Sequence, residues 1–412
     1  MQAHYDTLET RGAEQREAEQ FAELREILDF ALPRAPGLAR QLEGVDLGEL
    51  KDRSALAKLP ILRKADLVEM QSKAPPFGGL TSRPASEFSH LFQSPGPIYE
   101  PGMNTPDWWR FARALWAGGL RSDNVVLNCF AYHLTPAGLM FDSGARAIGA
   151  AVVPGGVGNT EAQVVAAADL GVTAYAGTPD FLKVLLDKAA ELGRELQITK
   201  AVVGGGPLFP QVRAFYIEQG ISCVQGYGTA DLGSIAYEAL APDGSVTQYM
   251  NVDEGLILEI VRPGTGDPVP NGEVGEVVIT LLNRDYPLVR FATGDMSAVS
   301  DAEAVCGRSA RKIKGWMGRA DQTTKVRGMF VRPEQVAEVL RRHPEIARAR
   351  LTVGREGDGD TMSLAVEAAA VDIAQVEGTM RDVMKLRGAV TLASPGSLPN
   401  DGKVIDDTRD FG

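Results

Sequence analysis

Residues 201–231 have the sequence AVVGGGPLFPQVRAFYIEQGISCVQGYGTAD, and this stretch decides the fold. The apolar triplet Ala201–Val203 predicts a short strand, and a glycine-rich turn follows it. A helix is then predicted through Ile217, and Ile221–Gln225 predicts the next strand. A strand, a turn, a helix and a further strand in this order are typical of a parallel sheet with crossover helices.

The same pattern repeats upstream of this stretch. Thr160-Glu-Ala-Gln163 is expected to open one helix as a capping box, and Thr178 with Pro179 to open another that runs to Leu192. The predicted strands are Val125–Cys129, Ala151–Val153 and Val172–Ala176, with a helix over Phe141–Ile148. Further upstream, residues from about Thr10 to Leu32 predict a helix that buries Phe21, Leu24, Ile27, Leu28 and Ala31. The sequence therefore predicts an α/β protein with a doubly wound, mainly parallel sheet.

Downstream of Tyr237 the pattern changes twice. Strands broken by Gly and Pro turns indicate a small antiparallel β subdomain, with strands at Leu256–Val261, Glu276–Thr280 and Pro287–Phe291. Near Gly318 a small α+β segment begins, with helices Pro333–Arg342 and Ile373–Arg387 and strands Ala349–Val353 and Ser363–Ala368. We therefore predict an N-terminal domain over 1–317 and a mobile C-terminal lid over 318–412, as a length of 412 residues favours more than one domain.

Composition limits the possible partners. A net charge of −12 argues against binding to nucleic acid, which needs a basic surface. Cys129, Cys223 and Cys306 are far apart, so reduced thiols are expected rather than disulfides or a zinc site. We find neither an apolar run long enough to cross a membrane nor a hydrophobic segment near the N-terminus, which is rich in Glu and Arg. The sequence favours a cytoplasmic protein without a membrane partner.

Two glycine motifs follow predicted strands. Gly204-Gly-Gly-Pro-Leu208 would let the backbone approach a flat ligand or a phosphate, although a tight turn needs the same residues. In Gly226-Tyr-Gly-Thr-Ala-Asp231, Tyr227 could stack on a base, and Asp231 could hold Mg²⁺ or cap a helix. Ligands of open α/β sheets bind at the carboxyl ends of strands, where both motifs are predicted to lie.

Three further motifs occur towards the C-terminus. Phe291-Ala-Thr-Gly-Asp295 places at a strand end a carboxylate that can accept hydrogen bonds from ribose, or that belongs to a simple turn. The second motif is Gly318-Arg-Ala-Asp-Gln-Thr-Thr-Lys-Val-Arg-Gly328. It is either a solvated linker or a hinge that rotates at Asp321. Pro399-Asn-Asp-Gly-Lys403 presents one lysine in a turn, and such a lysine is usually a simple surface residue.

In their order and spacing these motifs resemble those of the superfamily that contains acyl-CoA synthetases, adenylation domains and luciferases. The resemblance is to its phenylacetate–CoA ligase branch, and it covers nearly the whole chain. It also includes Leu59-Pro-Ile-Leu-Arg-Lys-Ala-Asp66, Gly177-Thr-Pro179, Pro263-Gly-Thr-Gly-Asp-Pro-Val-Pro270, Gly272-Glu-Val-Gly-Glu276 and Val331-Arg-Pro-Glu-Gln335. It implies a ligase that uses ATP, Mg²⁺ and coenzyme A to activate a small carboxylic acid, and it makes a homodimer plausible.

The resemblance also implies a role for each matching residue. Lys403 would bridge the carboxylate and the α-phosphate during adenylation, Asp321 would be the hinge, and the loop from Lys325 to Gly328 would face the site during thioester formation. Residues implied to bind the nucleotide are Gly204, Gly205, Gly206, Pro207, Tyr227 and Gly228 at the base, and Asp295 and Arg319 at the ribose. Tyr132, His133 and Thr135 occupy the stretch that corresponds to an aromatic acid pocket, although His133 could equally be a satisfied, partly buried histidine. Apart from the resemblance, Phe130, Tyr132 and Phe141 suggest an aromatic lining, although these rings could equally be core.

The phosphate-binding loop departs from the family pattern. The family has a loop rich in Ser and Thr, whereas residues 93–101 are Gln-Ser-Pro-Gly-Pro-Ile-Tyr-Glu-Pro, in which only Ser94 and Gly96 keep its character. Two prolines remove backbone donors, and Glu100 adds a negative charge. The family's Thr-Glu pair is Ala230-Asp231 here, and Asp231 remains the candidate ligand for Mg²⁺.

Three hypotheses follow from the sequence. The first is an AMP-forming ligase that joins an aromatic or arylacetic acid to coenzyme A. The second is an adenylating enzyme with a different acceptor, such as an amine or a carrier-protein thiol. The third is a non-catalytic relative that binds an acid or a nucleotide. Lys403, Asp295 and Arg319 favour the first two hypotheses, and the altered phosphate loop favours the third.

Overall fold

The computed structural model describes residues 3–320, 322, 324–327, 329–356, 359–399 and 403–409, with only the backbone of Lys325 and Phe330. The chain divides into two compact units. The first unit consists of Met1–Leu258, Ile279–Phe291 and Ser300–Gly315, and the second of Glu259–Val278, Ala292–Val299 and Trp316–Gly412. The second unit thus includes two segments that the sequence placed in the N-terminal domain, and a boundary near Gly318 stays a prediction.

Helices occur throughout the described part of the chain. Short 3-10 turns lie at Thr7–Thr10, Leu47–Glu49, Lys64–Asp66 and Ala85–Glu87. The α-helices are α1 (Ala13–Ala31), α2 (Pro36–Gln41), α3 (Arg53–Leu56), α4 (Leu67–Lys73), α5 (Phe111–Ala117), α6 (Ala137–Ala147), α7 (Thr160–Asp169), α8 (Pro179–Glu191), α9 (Pro210–Glu218), α10 (Pro333–Arg342) and α11 (Ile373–Met384).

The strands are shorter on average than the helices. They are β1 (Leu62–Arg63), β2 (His90–Ser94), β3 (Ile98–Gly102), β4 (Val125–Asn128), β5 (Ala151–Val153), β6 (Ala174–Gly177), β7 (Lys200–Val203), β8 (Ser222–Thr229), β9 (Gly233–Tyr237), β10 (Met250–Val252), β11 (Leu256–Val261), β12 (Gly275–Leu281), β13 (Phe291–Ser297), β14 (Lys312–Ile313), β15 (Thr324–Val326), β16 (Met329–Val331), β17 (Arg348–Glu356), β18 (Gly359–Glu367), β19 (Ala389–Ala393) and β20 (Ile405–Asp407).

An eight-stranded sheet forms the centre of the first unit. Its order is β14-β10-β9-β8-β7-β6-β4-β5. The strands from β5 to β8 are parallel, and β9, β10 and β14 extend the sheet in antiparallel pairing. The predicted fold class, an α/β protein with a doubly wound, mainly parallel sheet, is confirmed, and the antiparallel extension of this sheet was not predicted.

Helices cover both faces of this sheet because the strand side chains alternate between the faces. Val126, Val202 and Val224 pack with residues of α5 and α6, including Phe111 and Phe141. The residues next to them along the same strands pack on the other face of the sheet, against residues of α7, α8 and α9. These strand residues include Leu127, Ala201, Val203 and Cys223. Short apolar strands buried on both faces are what a doubly wound sheet requires.

Local sequence signals predict some helix ends and miss others. All five apolar residues expected on the buried face of α1 are buried, and α10 has the predicted limits. The capping box at Thr160 is wrong, because Asn159 precedes the helix in a left-handed conformation and makes no side-chain cap. Helix α11 ends at Met384 rather than Arg387, since Lys385 adopts a φ of 57° that ends a right-handed helix.

Strands of the predicted antiparallel subdomain lie in a four-stranded sheet with the order β1-β13-β12-β11. The strand predicted over Pro287–Phe291 is wrong, because β13 begins at Phe291 and continues to Ser297. Arg290 has a φ of 46°, which interrupts an extended backbone just before this strand. As a result, Asp295 lies inside a strand rather than at its end.

The C-terminal part of the second unit is an α+β fold, as predicted. Its sheet has the order β19-β18-β17-β20, and apolar residues of α10 and α11 share its core. The hairpin of β17 and β18 was predicted, whereas β19, β20 and the small hairpin of β15 and β16 were not. These strands are only three to five residues long, too short for a periodic apolar pattern to identify them.

Helix α1 is attached to the first unit by buried polar contacts as well as by its apolar face. The Arg16 guanidinium bonds the Glu254 carboxylate at 2.8 Å, and Arg11 bonds the same carboxylate at 2.9 Å. The Gln20 amide donates to two backbone carbonyls near Glu254. Within the described residues, no helix combines the length and the apolar character that crossing a bilayer requires.

Candidate active site

A cavity of about 180 Å³ opens in the first unit at the carboxyl ends of the parallel strands. Strands β4, β7 and β8 each contribute residues to it just after their parallel pairing ends. Its lining includes Ser94, Phe130, Thr135, Phe141, Gly204, Gly205, Gly226 and Gly228. This position is where open α/β sheets bind their ligands.

Aromatic rings form one wall of this cavity. The Phe141 ring centroid lies 4.3 Å from that of Phe130 and 4.3 Å from that of Phe111. All three rings line the cavity and also belong to the core on the α5–α6 face of the sheet. Phe130 and Phe141 are therefore core residues that also line the cavity, and their contact with an aromatic acid stays a prediction.

The glycine-rich turn after β7 allows two backbones to approach closely. A Cβ atom on Gly204 would lie 3.1 Å from the Gly226 carbonyl oxygen of the neighbouring strand, a distance that forces a shift. Gly205 is exposed in the cavity, and the Gly206 carbonyl accepts a hydrogen bond from the Gln225 amide at 3.1 Å. Pro207 is exposed in the loop beside them. Binding of a nucleotide base here stays a prediction.

The second glycine motif lies within a strand rather than after one. Parallel pairing of β8 ends at Gln225, and from Gly226 the strand pairs antiparallel with β9. A Cβ on Gly228 would lie 2.6 Å from the Gly233 carbonyl oxygen, so only glycine fits. Tyr227 is buried and lies in sequence between Gly226 and Gly228, which both line the cavity. Its predicted stacking on a base stays a prediction.

The three residues predicted for the acid pocket have different environments. Thr135 lines the cavity. The Tyr132 hydroxyl accepts a hydrogen bond from the Asn128 amide at 2.8 Å and donates to Asp142 at 3.3 Å, and burial raises the pKa of this tyrosine. His133 is exposed, so the alternative of a partly buried histidine is wrong. Tyr132 and His133 are therefore flanking residues in this structure.

The altered phosphate loop forms a tight hairpin between β2 and β3. Ser94 pairs with Ile98 across the turn that contains the exposed Gly96. Ser94 lines the cavity, and its hydroxyl donates a hydrogen bond to the buried Glu100 carboxyl. Burial, followed by the nearby Asp231 carboxylate, raises the pKa of Glu100 to about 8.

Asp231 lies in the turn between β8 and β9, so a helix N-cap is excluded. Its side chain is buried, and one carboxylate oxygen forms an ion pair with the Lys64 ammonium at 2.5 Å. The other oxygen, Oδ1, has no hydrogen-bond partner among the described residues. The sequence did not predict this role for Lys64, although Lys64 lies in the quoted stretch of residues 59–66.

The predicted ribose residues pair directly in the second unit. The Arg319 guanidinium bonds the Asp295 carboxylate at 2.8 Å, and the Trp316 indole donates to the same oxygen at 3.1 Å. Asp295 is buried, while Arg319 is about half exposed. Their contact with a ribose stays a prediction.

Lys403 and Arg319 line the same cavity, which has a volume of about 280 Å³ and lies within the second unit. The Lys403 ammonium contacts the Asp406 carboxylate at 2.8 Å, and Arg350 bonds the other oxygen of that carboxylate at 2.7 Å. These two hydrogen bonds, with Lys403 first, lower the pKa of Asp406. Lys403 is therefore a half-exposed cation at a cavity that is also lined by Arg319, a residue predicted to bind ribose.

Gln322 is a residue of this cavity that the sequence did not single out. Its carbonyl oxygen accepts hydrogen bonds from the Val404 and Ile405 backbone amides at 2.5 and 2.6 Å. It thereby fixes the two residues that follow Lys403. Gln322 directly follows Asp321, the predicted hinge residue. This adjacency was the one feature of the sequence that could have pointed to Gln322.

The predicted hinge and thioester loop are described only in part. Asp321 and Gly328 lie outside the described residues, and the backbone of Lys325 belongs to β15. Between them, the exposed Arg327 has a φ of 48°, and its backbone amide donates to the Asp360 carboxylate at 2.8 Å. The roles of Asp321, Lys325 and Gly328 stay predictions.

Comparisons with known proteins agree with this architecture. The family model described as AMP-binding enzyme matches residues 108–281. A phenylacetate-coenzyme A ligase of Thermus thermophilus is 30% identical over 375 residues, which cover 87% of this chain and 83% of that protein. The chain belongs to the phenylacetate–coenzyme A ligase family. A phenylacetate-coenzyme A ligase of Escherichia coli is 26% identical, over 97% of this chain and 95% of that protein.

Solved structures show the same fold at lower identity. The open conformation of 2-hydroxyisobutyryl-CoA ligase, in complex with 2-HIB-AMP and CoA, has a TM-score of 0.71 at 23% identity and covers 95% of this chain and 91% of that one. Its thioesterification state, with the same ligands, also has a TM-score of 0.71. Membership of the phenylacetate–coenzyme A ligase family confirms the predicted enzyme class, an ATP-dependent, AMP-forming acid–CoA ligase.

Proposed function

We propose that this protein activates an aromatic or arylacetic carboxylic acid. The carboxylate oxygen would attack the α-phosphorus of ATP and release pyrophosphate, and the coenzyme A thiol would then attack the acyl carbon and release AMP. The observation that supports this substrate class is the phenylalanine wall of the first unit's cavity, which leads to the glycine turn after β7.

The size of the cavity supports a single ring. An apolar protein cavity of about 150 Å³ is large enough to bind benzene. The volume here is about 180 Å³, which leaves room for a ring and a short substituent. Stacking against Phe130 or Phe141 would add roughly 1 kcal/mol beyond burial of the ring. A small aliphatic acid would leave much of this wall without contacts.

Adenylation brings two anions together, so it needs positive charge in the transition state. Lys403 is the residue proposed to supply it, and its contact with Asp406 is a half-exposed pair worth at most about 1 kcal/mol. The lysine can therefore leave Asp406 for a stronger anionic partner. Asp295 and Arg319 are proposed to bind the ribose, and residues 325–328 to act in thioester formation.

Asp231 has the chemistry to hold Mg²⁺. Its buried Oδ1 has no hydrogen-bond partner among the described residues, and carboxylate oxygen is a preferred ligand of this ion. Mg²⁺ bound there would offset the negative charge of the triphosphate. Lys64 already contributes one positive charge on the other side of the same carboxylate.

One observation favours a second candidate, a relative that binds an acid or a nucleotide without catalysis. The hydroxyl of Ser94 is occupied by Glu100, and Pro95 and Pro97 offer no backbone donors in the loop that holds phosphate in the family. An adenylating enzyme with an acceptor other than coenzyme A has the same first step, so only the second step distinguishes it.

Trapping of acyl-adenylate with hydroxylamine tests these functions directly. The protein is incubated with ATP and a panel of benzoic, arylacetic and short aliphatic acids, with and without coenzyme A. We expect hydroxamate with single-ring acids and thioester only when coenzyme A is present. ATP binding without turnover of any acid would refute both enzyme functions, and adenylate without thioester would indicate a different acceptor.

The variant Lys403→Ala tests the role of the lysine. We expect loss of acyl-adenylate formation, with thioester formation from preformed acyl-adenylate retained. Lys183→Ala is a matched control, because Lys183 is as exposed as Lys403 and pairs with Asp187 at 2.6 Å in a similar surface contact. Equal losses in both half-reactions would contradict the role proposed for Lys403.

A further inference from the structure

A tryptophan that the proposed function does not use lies beside the predicted ribose residues. Trp316 begins the last segment of the second unit, and its indole N–H donates to Asp295 Oδ1 at 3.1 Å. The Arg319 guanidinium donates to the same oxygen at 2.8 Å. One oxygen of the Asp295 carboxylate therefore accepts two side-chain hydrogen bonds, one from an indole and one from a guanidinium.

Backbone pairing holds the segment after Gly315 against strand β13 on both sides of Asp295. On one side, the Met296 amide donates to the Gly318 carbonyl at 2.9 Å. On the other side, the Ala320 amide donates to the Gly294 carbonyl at 2.7 Å. The side chains that this segment directs at Asp295 therefore start from a backbone whose position is fixed by the strand.

The two donors differ in how firmly they can hold the carboxylate. An indole has one donor and no acceptor, and two torsion angles fix its ring, so the N–H of Trp316 has a single role. Arg319 has five N–H donors on a half-exposed side chain and is itself proposed to contact the ribose, so its bond to Asp295 can be exchanged when the nucleotide binds. Trp316 is then the donor that remains on Asp295 Oδ1.

We propose that Trp316 is a positioning residue that orients the Asp295 carboxylate for the hydroxyl groups of the ribose. The inference rests on the proposed function, in which Asp295 accepts hydrogen bonds from those hydroxyls. No covalent bond changes: the indole N–H stays on Oδ1, and the carboxylate, held in one orientation, accepts from the sugar. Because Trp316 acts through Asp295, its contribution to binding should depend on the presence of the ribose hydroxyls.

The expected size of the effect follows from the bond that holds the carboxylate. A hydrogen bond to a charged group changes an equilibrium constant by about tenfold to a hundredfold. Trp316 is 50% exposed, so in its absence water can replace part of this bond, and Arg319 still holds the same oxygen. We therefore expect Trp316→Phe, which keeps an aromatic ring and removes the N–H, to weaken ATP binding by about three- to tenfold.

Calorimetric titration with Mg²⁺ and either ATP or 2′,3′-dideoxy-ATP, without acid or coenzyme A, tests this inference. The wild-type protein should bind the dideoxy nucleotide more weakly than ATP, because Asp295 loses the hydroxyl donors. Trp316→Phe should bind ATP about three- to tenfold more weakly than the wild type, and its affinity for dideoxy-ATP should stay within about twofold. A merely structural role of Trp316 would weaken the binding of both nucleotides equally.

Trp116→Phe is a matched control in the first unit. Trp116 is partly buried, and its indole nitrogen has no hydrogen-bond partner among the described residues. The same substitution therefore removes an N–H that holds no group in place, and the affinity for both nucleotides should not change. A second comparison uses Asp295→Ala: adding Trp316→Phe to it should not weaken ATP binding further if Trp316 acts through Asp295.

Two results would overturn the inference: a Trp316→Phe protein that binds ATP as tightly as the wild type, or one that loses the same affinity for both nucleotides. Equal wild-type affinity for ATP and dideoxy-ATP would refute the ribose role of Asp295, and the inference with it. Absence of ATP binding in the wild type would instead refute the proposed function itself. The failure of the inference and the failure of the proposed function are therefore distinguishable.

Discussion

Replacement of Gln322 by alanine should separate the two half-reactions of this enzyme. Gln322 accepts hydrogen bonds from the backbone amides of Val404 and Ile405, so it holds the segment that begins with Lys403. The same segment is also held by the Lys403–Asp406 ion pair, by the bond from the Leu351 amide to the Val404 carbonyl and by the parallel pairing of β20 with β17. The alanine variant removes the acceptor of two amides and touches none of these contacts.

The cost can be estimated from burial. Ile405 is buried and Val404 is half buried, so the two amides lose an acceptor where water replaces it poorly. At about 1 kcal/mol or more for each amide, the segment loses about 2–3 kcal/mol. The half-exposed ion pair of Lys403 contributes at most about 1 kcal/mol and cannot compensate. The fraction of protein with a correctly placed Lys403 then falls by at most about 30-fold to 140-fold.

We expect acyl-adenylate formation to fall by about tenfold or more in Gln322→Ala, because only this step is proposed to use Lys403. Thioester formation from preformed acyl-adenylate should remain within about twofold of the wild type. Pyrophosphate release measures the first step, and single-turnover thioester formation measures the second. Hydrogen exchange should show faster exchange of the amides in residues 403–407.

The control is Gln335→Ala in the same unit. Gln335 also accepts a hydrogen bond from a backbone amide, that of Arg332, at 3.0 Å, and donates to the Val383 carbonyl. It should lower stability by a similar amount without changing adenylation. If Gln322→Ala slows both half-reactions equally, or loosens residues 403–407 while adenylation stays unchanged, the positioning role of Gln322 is refuted.

Three further predictions concern stability. Glu254→Ala should lower the free energy of unfolding by about 3–5 kcal/mol, because Arg16 loses its buried partner, and denaturant titration measures this loss. Gly228→Ala should lower the melting temperature, since its Cβ would lie 2.6 Å from a backbone carbonyl, whereas Gly378→Ala in helix α11 meets no atom within 4 Å and should be neutral or stabilising. Glu100 keeps its proton to about pH 8 when folded and to about 4.5 when unfolded, so the free energy of unfolding should fall as pH rises between these values, and Glu100→Gln should flatten that decline.

The sequence predicts the central sheet well because that sheet depends on short-range patterns. Apolar triplets such as Ala201–Val203 are buried on both faces, and the residues between them form helices at the expected places. Prediction from the sequence fails where a single backbone angle decides the structure. The left-handed φ of Arg290 makes β13 begin only at Phe291, so that Asp295 lies inside a strand. No apolar pattern reports a left-handed residue of this kind.

The candidate site is predicted as a set of motifs but not as a set of contacts. The sequence indicates Gly204, Gly228 and Thr135, and all three line one cavity. It does not indicate Lys64, whose partner Asp231 is 167 residues away along the chain. Ion pairs over such a separation follow from the tertiary fold and leave no periodic signal in the sequence.

The departures from the family's phosphate motifs illustrate the consequence of this limit. In the sequence, Glu100 and the Ala230-Asp231 pair count as two separate losses in phosphate binding. In the structure, Glu100 and Asp231 belong to one buried cluster with a single lysine, and each carboxyl alters the ionisation of its surroundings. Energies of residues in one such network are not additive, so a sum over motif positions misjudges the site. A Glu100→Gln, Asp231→Asn double-mutant cycle on ATP affinity measures this coupling, and additive effects of the two changes would show that the departures are independent after all.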